Sequence, residues 1–440
     1  MQNRVEAGQA RVGLFDRLAE ARAMTDDLFR MVASEALYDR PIPERHRIVF
    51  YLGHVEAFDF NLFLGQLDGL RSCHPEFDRL FAFGIDPVGG GLPTDQASDW
   101  PALEDIQEYG ARVRKDLDTR LESGFARHDP ALTDGGLVNI AIEHRLMHVE
   151  TLAYLLHQLP FERKAKLATD PAPAAPSVAA RMIEIPDGNA TLGLARADGV
   201  FGWDNEFEAH QVAVPGFRID EYKVTNGEYL EFLRAGGYEE KSLWSDAGWE
   251  WTQSQGVRHP MFWTPHGDEW FYRGMFAEIP LPADWPVYVS HAEATAYARS
   301  KGKKLPTEAQ FHRAAYGTME GWEREYPWGN QSPETSRGNF HFSRWDPAPV
   351  SAYPEGRSAF GVSDLVGNGW EWTSSLFKPF PGFKPFSFYP GYSANFFDGQ
   401  HYVIKGGSAR TPAPLLRRTF RNWFQAHYPY VYAGFRCVAD

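Results

Sequence analysis

Two histidines four residues apart, His144 and His148, stand in the segment GLVNIAIEHRLMHVETLAYLLH. They share a stripe with Leu137, Ile140, Ala141, Thr151, Leu152 and Leu155, because positions three and four apart lie on one helix face. Two imidazoles at that spacing can hold a single metal ion between them. Glu150 lies roughly 200° of helical rotation past His148, so it suits a supporting or structural role better than a place in the coordination sphere. The third ligand has to come from another helix. HRIVFYLGHVEAFDFNLF offers His54 among apolar neighbours, with Gly53 beside it to let another element approach. His46 is the alternative, and its charged surroundings near the helix start point to a solvated side chain. Three imidazoles without a thiolate suit Fe(II), Zn(II) or Ni(II), and ligand type alone does not choose among them. The competing explanation is that all three are hydrogen-bonded core histidines. Their convergence on one interior favours the metal.

The elements that must position these side chains are four stretches of helical periodicity at residues 10–37, 43–67, 103–127 and 132–159, which predict an antiparallel four-helix bundle. The run FERKAKLATDPAPAAPSVAARM follows, where alternating Pro and Ala oppose helix and sheet alike. The expected division is therefore a helical domain over 1–162, a linker over 163–182 and a second domain over 183–440. In the last, short strands, turn signals such as Pro186-Asp187-Gly188 and Trp328-Gly329-Asn330, and two helical stretches near 225–235 and 290–317 predict an α+β domain rich in loops.

Composition narrows the function. The 440 residues carry 58 acidic against 44 basic side chains, a net charge of -14, with 15% aromatics. No basic run offers itself to a phosphate backbone, so nucleic acid is excluded as a partner. No apolar stretch reaches the roughly 20 residues a membrane helix needs. The opening MQNRVEAGQARVGLFDRLAE reads as a polar helix rather than a secretory signal, so a soluble cytoplasmic protein with no membrane partner is expected. Cys73 and Cys437 are the only cysteines, too few for a disulfide framework or a thiolate cluster. Cys73 reads as a small hydrophobe at a helix end. Nothing in the sequence fixes an oligomeric state.

His54 together with His144-x-x-x-His148-x-Glu150 resembles the DinB-like bundle of the ergothioneine-type sulfoxide synthases. The second half resembles their partner domain, of the formylglycine-generating-enzyme type with a C-type-lectin-like fold. The motifs that carry this are Asp220-Glu221-Tyr222-Lys223-Val224-Thr225-Asn226, LPTEAQFHRAA from Leu305, GNGWEWTSS from Gly367, KGGS from Lys405, and TFRNWF followed by AGFRC up to Cys437. The resemblance spans nearly the whole chain. It implies Fe(2+) held by His54, His144 and His148, and an O2-dependent reaction that joins sulfur or selenium to the imidazole carbon between the two nitrogens of hercynine, the trimethylated betaine of histidine. It further implies that Asn422 and Trp423 contact the betaine, where an aromatic face suits a trimethylammonium group; the alternative for Trp423 is a buried core aromatic, and Arg421 reads equally as a carboxylate partner or as a structural residue.

Departures from the family pattern bear on the second substrate. Synthases that use γ-glutamylcysteine carry Asp after the RNW triplet and arginines in the loop after the second helix. Here stand Phe424 and the nearly arginine-free LFAFGIDPVGGGLPTDQASDW. Met147 replaces a common Gln, and Phe380 stands where a proton-donating Tyr is expected, which leaves Tyr428, Tyr430 and Tyr432 as substitutes. Phe424, Phe380 and Met147 thus mark the expected second-substrate pocket. PERHRIVFYLGH, FAFGIDP and RNWFQAHYPYVYAGF together look most like the selenoneine synthase branch, with a selenosugar as donor; a cysteine-using or other thiol-using sulfoxide synthase is the alternative. A formylglycine-generating oxidase lacks support, since that chemistry needs paired cysteines in the second domain. A metal-dependent thiol transferase would keep the histidines without needing that domain. A non-enzymatic binding protein would be indifferent to loss of His144.

Overall fold

The computed structural model describes residues 2–82, 92–127, 132, 135–165, 172–173, 175–176 and 178–439, with the side chains of 2–12 left out. Most of the FAFGIDP segment and residues 166–171, 174 and 177 of the Pro/Ala run fall outside the described residues. The chain divides into two compact units, Met1–Leu167 and Ala168–Asp440.

The first unit is built on four long helices: α1 (Gln2–Arg30), α2 (Ile48–Phe63), α4 (Leu103–Arg127) and α5 (Gly136–Gln158), with a short α3 (Pro75–Leu80) between the second and third. Helix α1 starts earlier and stops earlier than its periodicity suggests, and Ser34–Tyr38 follow as a 3-10 turn. Helix α2 begins five residues after position 43. Pro41 and Pro43 cannot donate backbone hydrogen bonds, and Arg47 stays extended at the cap. Helix α5 packs against α1 and α2, and α2 packs against α4. Eighteen of the 23 residues of α5 are buried, so this helix is the axis on which the interior is built. No described helix is long and apolar enough to cross a membrane.

The second unit mixes short strands and helices, as the sequence indicates. Strand β1 (Met182–Ile185) pairs with β4 (Phe217–Asp220), which also carries the C-terminal β12 (Val438–Ala439). β2 (Gly188–Leu192) and β3 (His210–Val214) form a hairpin. β5 (Trp263–His266), β6 (Glu269–Arg273) and β7 (Glu278–Pro280) form a small meander. The largest sheet runs β10 (Asn422–Gln425), β9 (His401–Lys405), β8 (Trp370–Leu376), β11 (Ala433–Gly434). Helix α6 (Asn226–Arg234) matches the expected 225–235 and opens on a capping box from Thr225 and Glu228. The stretch 290–317 is two helices rather than one, α8 (His291–Ser300) and α9 (Glu308–Tyr316). Gly302 at φ +66 ends the first, and Pro306 keeps the connection extended until Thr307 caps the second. Two further helices escaped the sequence reading: α7 (Asp246–Ser254) and the single turn α10 (Gly391–Ala394). One core of this unit gathers Ile185, Phe217, Ile219, Phe311, Val362 and Leu365 between β1, β4 and α9.

Candidate metal centre

Helices α2 and α5 bring His54, His144 and His148 together inside the first unit. One ring nitrogen from each lies within 4.8 Å of the others, and all three side chains are buried. The Nε2 atoms of His144 and His148 face each other at 3.2 Å, as the i, i+4 spacing dictates. His54 is oriented from outside: its Nδ1 donates to the carbonyl oxygen of Phe81 at 2.6 Å, which leaves Nε2 with its lone pair free. Phe50 stacks on His54 at 4.9 Å, Phe58 lies flat on His144 at 3.4 Å, and Tyr51 meets His148 at 5.8 Å. These aromatic contacts fix the planes of the rings.

Burial keeps the three imidazoles neutral. It lowers His54 to about 4 and holds His144 and His148 well below 6.5. Neutral imidazole is the form that ligates a metal. Among the described residues, the buried Nδ1 atoms of His144 and His148 have no hydrogen-bond partner. Protons placed there leave two Nε2 lone pairs pointed at each other, and a divalent cation relieves that arrangement. The donor set therefore fits a metal with nitrogen ligands and positions left open to exogenous molecules.

His46 does not join this group. Contrary to the expectation of a solvated side chain, it is half-buried, tilted against Phe50 at 4.1 Å and edge-on to Trp100 at 6.5 Å. Glu150 is buried on α5 beyond His148. Met147 is half-buried on the same helix, its carbonyl accepting from the Thr151 hydroxyl. Sequence reasoning missed a set of buried charges in the same layer: Glu56 and Asp59 on α2, and the fully buried Arg145 between the two α5 histidines. The available signal was the presence of acids and a guanidinium on helix faces otherwise apolar.

Asn422, Trp423 and Phe424 of the RNWF segment sit in the second unit on β10, and Arg421 directly precedes that strand. Trp423 is half-buried, stacked on Phe377 at 4.1 Å with Tyr392 and Phe396 at 5.6 and 5.5 Å. The Asn422 side chain accepts from the Trp423 backbone N–H. Phe424 instead stacks on Tyr428 at 5.3 Å, and Tyr428 meets Tyr430 edge-on. Strand alternation accounts for the split, since neighbouring side chains point to opposite faces.

Three of the candidate residues are engaged by the protein itself. Arg421 does not present a free guanidinium: it is buried, paired with both carboxylate oxygens of Glu308, bonded to the carbonyls of Asn205 and Lys378, and laid over Phe380 at 3.9 Å. Its fork is satisfied by the protein itself. Phe380 is accordingly a packing residue under Arg421 and against His210. Tyr432 lies fully buried beneath the guanidinium of Arg410, in the core and away from solvent, whereas Tyr428 and Tyr430 are half-buried.

Comparison with known proteins matches residues 17–152 to the DinB superfamily and residues 168–440 to the sulfatase-modifying factor enzyme 1-like domain. The chain is 36% identical to the hercynine oxygenase of Mycolicibacterium smegmatis over 98% of its own length and 99% of that protein's. It is 38% identical to the hercynine oxygenase of Mycolicibacterium thermoresistibile over 71% of this chain and 70% of that one. Ergothioneine biosynthesis protein 1 of Neurospora crassa is 28% identical over 93% of this chain, which spans 56% of that longer protein.

Proposed function

The chain belongs to the ergothioneine-type sulfoxide synthase family of oxidative enzymes, and from that premise we propose that it uses Fe(2+) and O2 to form a carbon–selenium or carbon–sulfur bond at the imidazole carbon between the ring nitrogens of hercynine. The observation that carries this reading is the convergence of three buried imidazoles, His54, His144 and His148, with one ring nitrogen of each within 4.8 Å of the others. When bound there, Fe(2+) supplies dioxygen activation and open coordination positions for the two substrates. The chain's own part is positional: the His54–Phe81 bond and the stacked Phe50 and Phe58 set the ligand planes, and burial keeps water away from them. Asn422 and Trp423 are the proposed betaine contacts, and Tyr428 and Tyr430 the proposed sources of a proton.

The proposed chalcogen donor is a neutral selenosugar. Arg421 is paired with Glu308 and bonded to the carbonyls of Asn205 and Lys378, and Phe424 occupies the position where an acidic residue marks γ-glutamylcysteine users, so this segment offers no free charge for a γ-glutamyl dipeptide. Phe424 and Met147 remain the proposed donor-side residues. A sulfur donor such as cysteine is the second reading, favoured by the relatives named for ergothioneine biosynthesis. The test is anaerobic reconstitution with Fe(II), then O2 and hercynine with a 1-seleno-sugar, cysteine or γ-glutamylcysteine in parallel, with products read by mass spectrometry. A hercynine–selenium adduct from the selenosugar alone supports the selenium reading. A cysteine sulfoxide adduct replaces it with the sulfur one, and iron binding without any adduct removes hercynine as the substrate.

A further inference from the structure

Beside the three histidines, all four long helices of the bundle meet through charges. Arg145 on α5 donates Nε to Asp59 at 2.8 Å, and Nη1 and Nη2 to Glu56 at 2.9 and 2.7 Å. Its Nη2 also reaches the carbonyl oxygen of Val55 at 3.0 Å. Glu56 accepts in turn from Arg114 on α4 at 2.7 Å, and Arg114 forks onto both oxygens of Asp26 on α1 at 2.7 Å. Arg145 directly follows His144, while Val55 and Glu56 directly follow His54. One guanidinium therefore spans the two helices that must be in register for three ring nitrogens to converge.

A buried ion network of this kind is a poor source of stability, because desolvation offsets most of the attraction between its charges. Its attested use is to select one register of packed helices over others that bury as much apolar surface. The geometry points to Arg145, with Glu56 and Asp59, as positioning residues that hold α2 against α5 so that His54 meets His144 and His148. This inference rests on the metal reading of the triad and adds to it: the carboxylates are not ligands, and their loss acts through the separation of the histidines.

The test uses the full-length protein, stripped of metal and titrated anaerobically with Co(II), with the visible absorption of the bound ion giving affinity and geometry and a thermal melt run beside it. The triple variant Glu56→Leu, Asp59→Leu, Arg145→Met replaces the inner charges with apolar side chains. It is expected to keep or raise the melting temperature while Co(II) affinity falls about tenfold or more, by the usual effect of disturbing groups that orient ligands. Affinity equal to wild type, or a loss of affinity matched by a lower melting temperature, overturns the inference. Should the triple variant not fold, Arg145→Lys serves: an ammonium lacks the fork that reaches Glu56, Asp59 and Val55 together, so affinity should fall severalfold, and an unchanged value again overturns the inference. Arg114→Met, which leaves Arg145 on Glu56, should stay within about threefold of wild type; a drop equal to that of Arg145→Lys would make the effect one of general charge. Failure of the metal reading itself looks different: the wild-type chain would not bind Co(II), or His148→Ala would bind it equally well.

Discussion

The Nδ1 of His54 donates to the carbonyl oxygen of Phe81 at 2.6 Å, and the ring of the same Phe81 lies over Gly53, where an added Cβ would stand only 2.5 Å from it. The residue that orients the candidate ligand is thus seated on the one position before that ligand where no side chain fits. Gly53→Ala should push Phe81 away, break or lengthen the hydrogen bond and weaken metal binding by about tenfold to a hundredfold, the usual range when a ligand histidine loses its partner. Co(II) titration with circular dichroism as a control reads this directly. A variant that binds as wild type would show that the Phe81 carbonyl does not set the His54 ring.

Removal of Arg421 separates two roles. If it completes the buried pair with Glu308, Arg421→Met leaves a lone carboxylate in the interior and costs about 3–5 kcal/mol of stability, read from urea unfolding of the second unit. If instead it bound the carboxylate of hercynine, the variant would unfold like wild type and show only a raised KM. The first outcome is expected, because all three nitrogens of the guanidinium already donate to protein acceptors.

Much of the site was legible in the sequence because helical periodicity constrains direction as well as element type. The stripe of α5 placed His144 and His148 inward, and Gly53 marked a close approach before its neighbour Phe81 was known. What remained hidden depended on pairs distant in sequence. Nothing local to Arg421 reveals Glu308, 113 positions away, so the sequence leaves its guanidinium open between a substrate carboxylate and a structural partner. Nothing local to Tyr432 reveals Arg410 stacked on it. The break between α8 and α9 was visible in Gly302 and Pro306, but the apolar pattern continued across it. Helix α7, DAGWEWTQS, buries only Gly248 and Thr252 fully, and therefore shows no apolar stripe.

Alternation along β10 predicts that neighbouring aromatics act on different substrates. Trp423 faces Phe377, Tyr392 and Phe396, while Phe424 faces Tyr428. Trp423→Leu should raise KM for hercynine several-fold and leave the ranking of chalcogen donors unchanged. Phe424→Ala should alter that ranking with little change in the hercynine KM. Steady-state kinetics with each substrate varied in turn settle the matter, and equal effects of both variants on both substrates would show that the two residues serve one pocket.

His291 gives the second unit an acid sensitivity whose sign follows from its surroundings. The ring is buried at the start of α8, stacked on Tyr402 at 3.7 Å and edge-on to Trp372 at 5.5 Å, and among the described residues its Nε2 has no hydrogen-bond partner. Burial lowers it from 6.5 to about 3, against a smaller opposing effect of a hydrogen bond to the Thr373 backbone. A histidine depressed in the fold takes up its proton more readily in the unfolded chain, so between pH 6.5 and about 3 the unfolded state binds more protons and stability falls as the solution is acidified. The slope for one such group approaches about 1.4 kcal/mol per pH unit. His291→Phe keeps the stacking on Tyr402 and removes the proton site. Urea melts of the two proteins at pH 7.5 and 5 should then differ in their pH dependence, the variant losing less stability on acidification by about 1–2 kcal/mol. Equal slopes would mean that the His291 ring takes up its proton inside the folded domain, and that water reaches Nε2 without unfolding.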